Sequence, residues 1–190
     1  MRSLIVALIA AVVVASVAGQ GTTTDRGAAE SDRPLNLPMI GPDDPCPVTI
    51  GRRWDSKPDY IFGGPMWFGT APVSVAFTWG QQGDRAGLSL SEIPVERGAR
   101  RAKTPWIAEP SYSGPVDIRG RSLRTDRTAL LFSRDMSSVP TERLRLRAPQ
   151  APQRGGYSFW PSSMFIPGPG CYGIQIDTTA RTELVVFEAT

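Results

Sequence analysis

The chain has no histidine in any of its 190 residues. Imidazole is the one side chain that titrates near neutrality unperturbed, and it is the commonest metal ligand. Its absence excludes Ser-His-Asp and Cys-His nucleophile systems and the usual zinc sites. Cysteine is scarce as well, with only Cys46 and Cys171, so a metal site would lack soft ligands, and neither metal nor cofactor is expected. No stretch sustains a 3.6-residue apolar period, which predicts little helix. The acids Asp43, Asp44, Asp55, Asp59 and Asp84 sit in turn contexts, where short polar side chains serve backbone geometry. Asp43 and Asp44 fall far short of the six to eight oxygens calcium takes. No catalytic residue is assigned, and a non-enzyme is expected, with a small carboxylate-based hydrolase as the remaining catalytic alternative.

Long hydrophobic runs are missing too, except at the start. Met1-Arg2-Ser3 gives a positive opening, Leu4 to Ala18 carries no charge, and Ser16-Val17-Ala18 places small residues at the cleavage positions. That pattern reads as a signal peptide over 1–18. The run is shorter than the roughly 20 residues a membrane-spanning helix needs. The expected location is therefore secreted, extracellular or in the cell envelope, with no transmembrane anchor after cleavage. Residues 19–45 (GQGTTTDRGAAESDRPLNLPMIGPDDP) are polar and rich in breakers, and read as a disordered leader. The folded domain is expected over 46–190.

What the chain does have is Gly and Pro, 19 and 18 of them, spread between short apolar runs. Such punctuation favours many short strands joined by turns. Candidates are Pro47–Ile50, Met66–Phe68, Val73–Trp79, Leu88–Ile93, Val116–Leu123 broken at Gly120, Ala129–Phe132, the Leu144/Leu146 alternation, and a terminal hairpin of 171–177 with 183–188. Val73, Val75, Phe77 and Trp79 alternate onto one face and mark the core. Seven to nine short strands at this spacing indicate an all-β sandwich.

Three signatures occur in order: Cys46-Pro47-Val48-Thr49, Gly114-Pro115-Val116-Asp117-Ile118-Arg119-Gly120-Arg121-Ser122-Leu123, and Pro161-Ser162-Ser163 through Pro169-Gly170-Cys171-Tyr172. In these the chain resembles a group of secreted bacterial proteins with a CPVT start, a GPLxIxGRRL-like middle and a GCWE-like C-terminal hairpin. The resemblance covers about residues 46–190 and implies an immunoglobulin-like β-sandwich, but no activity. The chain departs from that pattern at Tyr172, at Gly173 and after CPVT, where it reads Ile50-Gly51-Arg52-Arg53.

An even pair of cysteines in an exported chain predicts a disulfide, Cys46–Cys171. Alternation along β-structure puts Tyr172, Ile174 and Ile176 on the apolar face and Cys171, Gly173 and Gln175 on the other. The bridge is thus expected at the surface, pinning the first strand to the mouth of the last hairpin.

Charge is uneven. Residues 97–154 hold thirteen Arg or Lys against five Asp or Glu. Arg119, Arg121, Arg143, Arg145 and Arg147 are candidates for a basic face that binds an anionic envelope polymer through phosphate, without specific nucleic-acid recognition. The bland alternative is a solvated strand face. Trp106 and Trp160, each beside a proline, are candidates for stacking on a glycan; core packing is the competing explanation. The reading that results is a non-catalytic binding or structural module, the alternative being a carbohydrate- or anionic-polymer-binding module with a definite ligand.

Overall fold

The computed structural model describes residues 33–53, 66–70, 72–78, 83–135, 138–147 and 156–190. The signal segment, residues 19–32 of the leader, and Trp54 and Trp79 lie outside that set. Within it the strands are β1 (Arg52–Arg53), β2 (Met66–Trp67), β3 (Val73–Val75), β4 (Gly87–Leu88), β5 (Val95–Glu96), β6 (Ala99–Lys103), β7 (Trp106–Ala108), β8 (Val116–Ser122), β9 (Leu131–Ser133), β10 (Arg143–Leu146), β11 (Ser158–Trp160), β12 (Ser163–Ile166), β13 (Gly170–Thr178) and β14 (Thr182–Ala189). The only helical piece among the described residues is a 3-10 turn at Leu90–Glu92. The protein is all-β.

One sheet has the order β10-β8-β13-β14-β4, antiparallel except for the parallel β14–β4 pair. The opposing layer consists of two sheets, β11-β7-β3 and β5-β6-β12-β9. Thr104-Pro105 interrupts the chain between β6 and β7, opposite Pro161-Ser162 between β11 and β12. Proline has no N–H for a ladder, but Thr104 N donates to Ser162 O at 3.0 Å and Ala76 N to Pro105 O at 3.1 Å. Backbone hydrogen bonds therefore continue across this seam between the two sheets. Single bridges, Phe68↔Val75, Ile50↔Arg85 and Phe132↔Thr141, tie neighbouring edges together.

The core lies between the layers. Val116, Ile118, Leu144, Leu146, Tyr172, Ile174, Ile176, Val185 and Phe187 enter it from the five-stranded sheet. Val73, Val75, Trp106, Phe132, Met164 and Ile166 meet them from the other side. Phe77 stands between Phe68 and Phe187 at ring separations of 5.2 and 5.4 Å, and Phe187 stacks on Tyr172 at 5.4 Å. The alternation expected for Val73, Val75, Phe77, Tyr172, Ile174 and Ile176 is the one observed.

Several expectations need correction. Gly120 does not break β8: it sits mid-strand, where an added Cβ would lie 2.7 Å from the Gly173 carbonyl oxygen and 2.8 Å from Leu130 Cδ1. Here glycine serves close approach of two chains. Leu88–Ile93 is a strand only through Leu88, because Ile93 N closes a turn on Leu90 O at 3.2 Å. Residues 33–45, expected as disordered leader, are packed: Leu37 is buried with Cys46, Leu123, Cys171 and Val186, and Leu35 and Ile40 pack on them. The polar composition concealed an apolar spacing that one sheet face can take up. The bridge Cys46–Cys171 is present, with Cα atoms 5.6 Å apart. It lies on the face away from the main core, as alternation requires, but this packed segment buries it, so it is not at the surface.

Candidate functional site

Antiparallel partners share a face, so register decides which polar residues meet. Arg143 pairs with Arg119 and Arg145 with Asp117 across β10–β8. Arg119 pairs with Gln175, Asp117 with Asp177 and Arg121 with Gly173 across β8–β13. The outer face of the five-stranded sheet thus collects Arg119, Arg121, Arg143 and Arg145. Arg147 follows β10 and is exposed, as is Arg145.

Most of that charge is committed inside the molecule. Arg143 Nε donates to both carboxylate oxygens of Asp117 at 2.8 and 2.6 Å, and its Nη2 donates to the same group. Arg119 Nη2 donates to Asp177 Oδ2 at 2.7 Å. Asp177 also accepts from Gln175 Nε2 at 2.9 Å and from Thr182 Oγ1 at 2.6 Å. Both acids are buried, Asp177 completely at its side chain. Two like charges directly opposite on neighbouring strands repel, and the two guanidinium groups offset that. The arginines are gathered on one face, but two of them neutralise acids.

The remaining donors hold residues 33–44. Arg119 Nη2 also donates to Arg33 O at 2.6 Å and Arg121 Nη2 to Leu37 O at 2.8 Å. Arg124 donates to the carbonyls of Gly41, Pro42 and Asp44. Gln175 takes both polar groups of one stretch, accepting from Asn36 N at 2.7 Å and donating to Pro34 O at 3.0 Å. Its carboxamide acts as a neighbouring strand's peptide group would. Arg119 Nε is buried without a hydrogen bond.

The tryptophan pair does not offer a stacking platform. Trp106 and Trp160 are register partners on β7 and β11, but Trp106 is 0% exposed and its indole Nε1 donates to Ser162 Oγ at 2.8 Å. Ser162, placed by the Pro161 seam, closes that buried site by donating to Thr104 O at 2.7 Å. Trp160 is half-buried against the core. The proline neighbours that suggested loops mark the seam between the two sheets, where Trp106 lies in the core and Trp160 packs against it.

Sequence reasoning placed Gln175 on this face without assigning it a partner, and missed Asp177. The available signal was polar residues alternating with apolar ones inside otherwise buried strands. Among the described residues no group of three or more Cys, Asp or Glu is placed to hold a metal ion. No helix there is long and apolar enough to cross a membrane.

No protein-family model matches the chain, and no curated protein matches it. Among solved structures, the crystal structure of a "putative lipoprotein from Bacillus anthracis" is similar, at 13% sequence identity over 78% of this chain and 88% of that one, with a TM-score of 0.47.

Proposed function

We propose that the chain is a secreted, non-catalytic, immunoglobulin-like module, serving as a binding or structural element of the cell envelope or extracellular space. The observation that carries this reading is the use made of the outer-face polar groups. Asp117 and Asp177 are spent on Arg143 and Arg119, and the other donors are spent on the chain's own backbone. A carboxylate-pair hydrolase needs its acids to face a substrate, one protonated and one free; these two face guanidinium groups. The buried disulfide adds the cross-link typical of chains that work under oxidising conditions.

The test is expression of the full chain in a bacterial host, followed by fractionation and intact mass. The expected product is an oxidised protein in the envelope or medium that has lost residues 1–18. A full-length, reduced protein retained in the cytoplasm would overturn the reading. Turnover of a glycoside that vanishes in a folded Asp117→Asn variant would replace it with the hydrolase.

A second reading, weak binding of anionic polymers, is favoured by the exposure of Arg145 on the edge strand β10 and of Arg147 just after it. Co-sedimentation with teichoic acid or anionic vesicles should then fall steeply with salt, because affinity comes from counterion release. The double variant Arg145→Ser/Arg147→Ser should reduce both affinity and salt slope. Co-sedimentation equal to that of a charge-neutral protein would remove this reading.

A further inference from the structure

We propose that the outer face of β8, β13 and β14 is a groove for an extended polypeptide, and that residues 33–44 are a ligand held there in cis. This deepens the reading as a binding module, and rests on it, by naming the class of partner: a peptide presenting apolar side chains in the pattern Leu35-x-Leu37-x-x-Ile40. Three observations lead to it. First, recognition is of backbone. Arg119, Arg121, Arg124 and Gln175 hold the carbonyls of Arg33, Leu37, Gly41, Pro42, Asp44 and Pro34. The segment forms no strand and makes one backbone bond to the sheet side, Ile40 N to Leu123 O at 2.9 Å. The carbonyls of Arg33, Pro34 and Leu37 lie in the irregular stretch 33–40, and those of Gly41, Pro42 and Asp44 in the turn that Asp44 N closes on Gly41 O at 3.3 Å; side-chain donors aimed at carbonyls hold such a segment without making it a strand.

Second, the sheet is shaped for an anchor. A Cβ on Gly173 would lie 3.0 Å from Leu37 Cδ2 and 2.8 Å from Leu123 Cδ2. The missing side chain at Gly173 is therefore the floor on which Leu37 sits, beside Leu123, Val186 and the disulfide. Third, residues 33–44 leave a groove donor unused, since Arg119 Nε is buried with no acceptor. A buried donor left unpaired is costly, and an incoming segment with one more acceptor at that point gains what the resident segment does not supply.

The resident segment is attached through Cys46, two residues beyond Asp44, so it competes at the high effective concentration of a short tether. A partner in trans gains access when the segment is cut or its anchor is weakened. The disulfide keeps the groove assembled in either case, because it joins Cys46 to β13 directly.

The experiment uses the oxidised full chain carrying a protease recognition site in place of residues around Pro45, cut after folding. The expected result is that the released segment stays bound in native mass spectrometry and exchanges with a fluorescent synthetic peptide of residues 33–44. The same peptide carrying Leu37→Asp should bind at least tenfold more weakly, and the uncut protein should not take up either. Arg121→Ala in the cut protein should lower affinity for the peptide while leaving circular dichroism unchanged. A cut protein that stays folded but binds no peptide overturns the proposal, as does one that unfolds on losing the segment. In the second case residues 33–44 are part of the core and not a ligand. Neither outcome depends on export, which the fractionation experiment reads separately.

Discussion

Asp177 is surrounded by donors from three directions, Arg119 across to β8, Gln175 on its own strand and Thr182 at the start of β14. Removing one partner of a buried ion pair leaves the other charge unpaired, which costs more than the pair itself contributes. Asp177→Ala should therefore lower stability by about 3–5 kcal/mol, read as a fall in the urea midpoint. Asp177→Asn, which keeps the shape and most hydrogen bonds, should cost less. At Gly120 the argument is steric. Gly120→Ala forces a methyl against the Gly173 carbonyl oxygen 2.7 Å away, a backbone atom that cannot turn aside as the Leu130 side chain can, so about 1–3 kcal/mol should be lost as overpacking. Tyr172 gives a pH prediction. Burial pushes its hydroxyl above the ordinary tyrosine value, because desolvation disfavours the phenolate. The folded state thus holds this proton more tightly than the unfolded state does. The associated stability is complete below the unfolded value near pH 10 and is lost as pH rises through the folded value. A Tyr172→Phe variant should show a shallower loss of stability over that alkaline window, as followed by urea unfolding at stepped pH.

Among the elements, the terminal hairpin is the one most legible in the sequence. Ile174, Ile176, Val185 and Phe187 alternate cleanly, and the Thr178–Thr182 interval supplies the turn. β3 and β10 were legible for the same reason. β6 was not: Ala99-Arg100-Arg101-Ala102-Lys103 reads as charged and solvated. Yet Arg101 is 8% exposed, held by Ser163 Oγ at 3.0 Å and Glu96 at 2.9 Å, with Phe165 beneath it. Long cationic side chains bury their stems when the head is paired, and no periodicity reports that. The packing of residues 33–45 escaped for a related reason. Four apolar residues among prolines are too few to mark a strand, and the donors that order the segment lie some 80 to 140 residues later in the chain. Alternation within each strand could be read from the sequence, whereas the gathering of Arg119, Arg121, Arg143 and Arg145 on one face and the pairing with Asp117 and Asp177 depended on which strands become neighbours. This segment also defines a stability gradient. Leu37→Ala should cost about 2–3 kcal/mol, near the lower end for buried leucines, since the cluster is small. Hydrogen exchange at Ile40 should be faster than at Ile174, because regions with few buried contacts open most readily. Cys46→Ser should cost about 4–5 kcal/mol in the loop-entropy view for cysteines 125 residues apart, visible as a lower melting temperature.

At the scale of the whole molecule, neighbours in space are distant in sequence. β8 lies between β10 and β13, and β14 takes β4 as its parallel partner. Non-local pairing of this kind requires loop closure before any contact repays it, so refolding should take milliseconds to seconds, as for other sandwiches, measurable by stopped-flow tryptophan fluorescence. One feature of the five-stranded sheet bears on how the chain is made. Its middle is the hairpin of residues 170–189, the last of its strands to be synthesised; until that hairpin exists β8 can pair only with β10, and β4 has no partner in this sheet. A ribosome adds roughly 5–20 residues per second and releases the N-terminal parts first. Throughout that interval the edge strands of this sheet lack its centre, and the residues that β13 and β14 give to the core, Ile174, Ile176, Val185 and Phe187, are still missing. The last twenty residues of the chain therefore act as its keystone: the main core closes only when synthesis is all but complete.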